Sequence, residues 1–165
     1  MRTALAALVA VAALPLAVAA EEGGEAHGGP YVGSPELELL KTLAGSWVMA
    51  GAQEETPAAE YRVAANGSVV VERSFPDTPK EMISVYHDRG GKLSMTHYCA
   101  LANQPQMSLT TFELVKGSLE SEEMPHMNGV SIAFDGRDEM SQTWSMFAGP
   151  GQETKTHTMR FRRAR

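Results

Sequence analysis

A single cysteine, Cys99, stands in 165 residues. No disulfide can form within the chain, so a stable fold must rest on a packed core. Basic side chains are few, 14 against 20 acidic ones. That deficit argues against nucleic acid and against anionic membrane surfaces as partners. No stretch supplies the ~20 consecutive apolar residues that span a bilayer as a helix. A phosphate-cradling glycine loop, a serine-nucleophile elbow and a clustered pair of catalytic carboxylates are all missing as recognisable motifs. The common reasons for assigning an enzyme are therefore missing too.

What is present falls into three unequal parts. Residues 1–20 carry Arg2, an apolar run from Ala4 to Leu14, Pro15, and small residues at Val18 and Ala20. This is the pattern of a secretory signal peptide cleaved near Ala20. It predicts a secreted, periplasmic protein, and without a cysteine beside the cleavage point it predicts no lipid anchor. Residues 21–34 are rich in Gly and Pro and read as a flexible leader. Residues 35–165 form the folded domain. It begins with a short helix capped by Ser34, started by Pro35 and ended by Gly45, with Leu37, Leu40 and Ala44 on one face.

From Gly45 onward no helical period competes. Short β-rich runs alternate with turn signals, which predicts about ten strands near 46–52, 58–64, 68–75, 81–88, 92–99, 106–114, 118–124, 129–134, 139–148 and 152–163. The regular spacing predicts an all-β domain, a single antiparallel meander closed into a barrel with the helix near one end.

Two-residue turns then fix which side chains face together. Asn66-Gly67 places Tyr61, Val63, Val70 and Glu72 on one face and Glu60, Arg62, Val69, Val71, Arg73 and Phe75 on the other. The first carries fewer charges, which favours it as the interior. The Gly90-Gly91 turn sets Tyr86 opposite Met95, Ser84 opposite His97 and Met82 opposite Cys99. Lys92, Ser94 and Thr96 mark the opposite face as solvated, so His97 and Cys99 are predicted to point inward. Near the C-terminus Met140, Gln142, Trp144 and Met146 share a face, as do His157, Met159 and Phe161.

The candidate ligand-lining residues are therefore Tyr61, Glu72, Met82, Ser84, Tyr86, Met95, His97, Cys99, Trp144, Met146 and His157. Sparse polar groups in an apolar wall suit a small hydrophobic or amphipathic ligand, and a small barrel either holds one or is filled by side chains. Two other chemistries stay open. His97 and Cys99 could form a weak catalytic pair, although their ~6.5–7 Å backbone spacing is loose for a dyad. Met124, His126 and Met127 are soft donors of the kind that hold Cu(I). Neither carries a motif, so no metal, catalytic residue or oligomeric state is assigned.

"LAGSWV" at 43–48, after a short helix and before the strands, resembles the Gly-x-Trp start of the calycins, the lipocalin-like barrels. The strand count and length are closer to the nitrobindin-like and fatty-acid-binding branches. "FPDTPKEMISVYH" and "HYCALANQPQM" look like segments of a group of secreted bacterial proteins of lipocalin-like type, a likeness that brings no activity with it. The calycin resemblance implies that Trp47 packs at the closed barrel end under an arginine of the last strand, here Arg163. The nitrobindin resemblance implies a haem held by His157 as the alternative cofactor, with Met49 standing where that family has glycine.

Overall fold

The computed structural model describes residues 29–109, 114–116 and 125–165. The expected signal peptide and the expected strand at 118–124 lie outside the described residues. One helix, α1 (Pro35–Lys41), precedes ten strands. These are β1 (Gly45–Met49), β2 (Ala59–Ala64), β3 (Val69–Ser74), β4 (Met82–Arg89), β5 (Lys92–Tyr98), β6 (Gln106–Leu109), β7 (Leu114–Lys116), β8 (His126–Phe134), β9 (Glu139–Phe147) and β10 (Lys155–Arg163). Consecutive strands pair antiparallel, and β1 pairs with β10 to close the barrel. Closure leaves no unpaired strand edge, which is how a meander avoids edge-to-edge association. Of the strand expected over 106–114, β6 covers Gln106–Leu109, Leu114 opens β7, and residues 110–113 lie outside the described residues.

The hairpin registers follow from the turns. Ala65, Asn66 and Gly67 adopt φ of 48°, 53° and 89°, a left-handed run that turns the chain between Ala64 and its partner Val69 and keeps the expected parity. Tyr61 then pairs with Glu72 and Val63 with Val70. Tyr61, Val70 and Glu72 are buried, while Val63 sits exposed at the strand end. In the next hairpin Tyr86 pairs with Met95 and Ser84 with His97, as the glycine turn requires. The ladder stops at Ile83 and Tyr98, one pair short of Met82 and Cys99.

α1 closes one end. Ser34 Oγ accepts the Leu37 N–H at 3.2 Å, the expected cap. Leu37 and Leu40 are buried, but Ala44 is not; the helix stops at Lys41, and the following turn brings Leu43 inward instead. The last part of the expected leader is tied down rather than loose. Ser34 donates to Asp88 through N–H and Oγ, each at 2.7 Å, and the Tyr31 N–H donates to the Asn66 carbonyl at 2.8 Å.

Trp47 sits beneath this helix, fully buried, with Nε1 donating to the Leu43 carbonyl at 2.7 Å. The Arg163 guanidinium lies 4.4 Å from the indole centroid. It also donates to the Ala44, Thr42 and Arg137 carbonyls and to Asp138. One arginine thus satisfies carbonyls of the turn that ends α1 and stacks on the tryptophan. Gly45 gives this approach room: it has φ of 125°, which disfavours other residues, and a Cβ there would crowd Arg163 Nη1 at 3.2 Å.

Candidate functional site

The inward faces divide into a polar floor and an apolar mouth. Glu72 is the centre of the floor and has no exposed surface. Its carboxylate accepts from Tyr86 Oη at 2.6 Å, Gln142 Nε2 at 2.8 Å and Ser74 Oγ at 3.0 Å. Gln142 Nε2 donates also to Tyr61 Oη, and its Oε1 accepts from Trp144 Nε1 at 2.9 Å. β2, β3, β4 and β9 therefore meet through one hydrogen-bonded cluster inside the barrel. Burial first, and the Glu72 charge second, hold the Tyr61 and Tyr86 phenols well above their ordinary range. Both act as neutral hydrogen-bonding groups.

The barrel end opposite α1 opens into a cavity of about 150 Å³. Ser74, Phe75, Met82, His97, Met127, Trp144, His157 and Met159 line it. The imidazole of His97 is tilted against the Trp144 indole with ring centroids 4.7 Å apart. Its Nδ1 lies 3.0 Å from Ser84 Oγ. Its Nε2 is buried and has no hydrogen-bond partner. An unpaired buried nitrogen costs stability unless something fills its valence, and its residue lines a mostly apolar wall whose other polar groups are Ser74 and His157.

Of the residues predicted to line a site, Met82, His97, Trp144 and His157 reach the cavity together. Tyr61, Glu72 and Tyr86 belong to the floor, and Ser84 bridges floor and wall through His97. Met95 is buried elsewhere in the core, and Met146, half-buried opposite Lys155, does not line the cavity. His157 pairs with Trp144 and shares its inward face, yet it is exposed, because it lies near the start of β10 at the open rim.

Cys99 departs from the inward position predicted for it. It lies beyond β5, half-buried, in a turn where its N–H donates to the Asn103 carbonyl at 3.0 Å. Neither nitrogen of His97 is bonded to the thiol, so the pair has no dyad geometry. Phe75 departs in the opposite direction: predicted outward, it lines the cavity. Its φ of 52° ends the strand alternation after Ser74 and swings the ring inward. The loop that carries it is held from outside by Arg73, which bonds Glu81 and Asp77.

Gln142, Ser74, Met127 and Met159 were absent from the predicted set. A glutamine alternating with Met140 and Trp144 was the available signal for Gln142, since a polar residue on an apolar face must find a partner inside. The soft-donor trio is not gathered among the described residues. Met124 lies outside them, Met127 lines the cavity, and the His126 ring packs on Phe147 at 5.2 Å. Nor does the cavity fit an enclosed haem. At about 150 Å³ it is smaller than the roughly 300–1,000 Å³ of pockets that enclose drug-sized ligands.

A second hollow, about 530 Å³, lies at the closed end beside Leu39, Thr42, Phe134 and Arg163. Its guanidinium is already committed to carbonyls and to Asp138, which leaves it little to offer a ligand.

Burial lowers the His97 pKa from 6.5 to about 4. The unfolded imidazole titrates near ~6.5, so between these values the folded state binds fewer protons. The stability that depends on neutral His97 is complete above the unfolded pKa and is lost as pH falls toward the folded one. The shift corresponds to about 3 kcal/mol at full development. Urea denaturation between pH 7 and 4.5 should show this loss in the wild type and a flatter profile in His97→Phe. Parallel profiles would mean that another group titrates.

The chain matches no family model, no curated protein and no solved structure.

Proposed function

We propose that this chain is a secreted, periplasmic lipocalin-like barrel that binds a small apolar or amphipathic molecule at its open end. The observation that carries the reading is the cavity at the open end, lined by three methionines, Phe75, Trp144, Ser74 and the imidazoles of His97 and His157, with His97 Nε2 buried and unpartnered. Sparse polar groups in an apolar wall are the usual composition of a ligand site. Thioether side chains suit it as well, because they adapt to irregular shapes and make favourable contacts with aromatic rings. Support for the calycin likeness is the stack of Arg163 on Trp47, and support for export is the sequence pattern of residues 1–20.

Toluene, a single-ring apolar probe of a size this cavity admits, should give a one-to-one binding signal in calorimetric titration. Met82→Trp, which places bulk at the cavity wall, should abolish that signal while the far-ultraviolet circular dichroism stays unchanged. Binding that survives Met82→Trp would place the site elsewhere, and no saturable signal from any apolar probe would mean that the interior is filled.

A further inference from the structure

Glu72 is a carboxylate inside the barrel with no cation to balance it. The donors that meet it, Tyr86, Gln142 and Ser74, are all neutral, and hydrogen bonds of this kind favour the ionised form. Arg73 is its neighbour along β3, but it lies on the outer face and is held by Glu60, Asp77 and Glu81. A fully buried acid without a counter-charge is unusual, and its field is poorly screened. The cavity lies against this charge. Ser74 lines the wall and donates to Glu72 Oε1 at 3.0 Å. Trp144 lines it too and reaches Glu72 through Gln142, by bonds of 2.9 and 2.8 Å. The carboxylate thus stands behind two wall residues, and a Coulomb field asks no particular atom to face the opening.

Resting on the binding function proposed above, we infer that this pocket selects a small organic cation, an amine or a quaternary ammonium, over neutral and anionic molecules of the same shape. The lining supplies what such a cation needs besides the carboxylate. Phe75 and Trp144 bring aromatic rings, whose quadrupole attracts a cation, and the methionines bring polarizable sulfur. The volume, about 150 Å³, equals that of an engineered cavity that takes up benzene, so it suits a compact head group. No positive charge competes in the wall. No lysine or arginine lines the cavity, and the His97 imidazole stays neutral near pH 7, because burial holds its pKa at about 4. Lys155, two residues before His157 on β10, is exposed and does not line the cavity either, so salt screens it.

The test is calorimetric titration of the full chain at pH 8, where histidine in water is uncharged, with choline, 3,3-dimethylbutan-1-ol and 3,3-dimethylbutanoate. These are a cation, a neutral molecule and an anion of nearly one shape. Choline should bind about tenfold tighter than the alcohol, the reach of a desolvated cation over aromatic rings, and the anion should bind weakest. Glu72→Gln keeps the side chain's shape without its charge; choline should lose most of its advantage there while the alcohol binds as before. Phe75→Leu, which leaves the floor cluster whole, should weaken choline more than the alcohol, and it answers the question if Glu72→Gln does not fold. The alcohol or the anion binding as tightly as choline would overturn the inference. A choline advantage that survives both substitutions would overturn the assignment to Glu72 and Phe75. Equal binding of all three sinks the charge selection while the apolar pocket stands. If none of the three binds but toluene does, the ligand class is wrong, and if toluene fails as well, both readings fall.

Discussion

Glu72→Ala should destabilise the protein by about 3–5 kcal/mol, from the buried donors it leaves unmet. The physical reason is what it leaves behind. Tyr86, Gln142 and Ser74 each direct a hydrogen at the carboxylate. All three residues are buried, and each unmet donor costs on the order of 1–3 kcal/mol. Losses of that size are a large share of the ~5–15 kcal/mol that holds a typical domain together. Glu72→Gln keeps the shape and one acceptor oxygen but turns a donor toward other donors, so it should fall between wild type and alanine. Equilibrium urea denaturation at pH 7 measures both. A loss under about 1 kcal/mol for Glu72→Ala would show that the floor cluster is not a hub.

Trp47→Ala should cost a similar amount, about 3–5 kcal/mol, from lost burial and the cavity left under the helix. Loss of the Arg163 stack adds ~0.5–1 kcal/mol or more. Thermal unfolding should move down by roughly 10 °C or more, whereas Val63→Ala, at an exposed position, should barely change it. Arg163→Ala separates the two contributions. It spares the tryptophan but strips the Thr42 and Ala44 carbonyls of their donor, so it should loosen the end of α1 and raise amide exchange there. If Trp47→Ala melts no lower than Val63→Ala, the closed end does not depend on this stack.

Both positions were readable before the fold was known, but for different reasons. Trp47 and Arg163 came from a resemblance, and Gly45, where a Cβ would lie 3.2 Å from Arg163 Nη1, leaves the guanidinium room beside it. Glu72 came from parity across the Asn66-Gly67 turn, which placed one acid on an otherwise uncharged face. Its partner Gln142 stood in plain view on β9, yet 70 residues separate the two. No local pattern says that two inward polar groups on distant strands sit at the same depth.

The sequence by itself determined the all-β meander, the two hairpin registers and the inward face of each, because side-chain direction has a period of two and a two-residue turn sets that period across a hairpin. It also determined the helix start, through Ser34 and Pro35. Only the tertiary structure decided where alternation fails, at Phe75 and Cys99, since a left-handed residue or a turn resets direction without any hydrophobic signal. It alone decided which inward side chains of distant strands meet, Gln142 with Glu72 and His97 of β5 with Trp144 of β9. Those contacts depend on the closure and tilt of the whole barrel, a property of all ten strands together that no short stretch encodes.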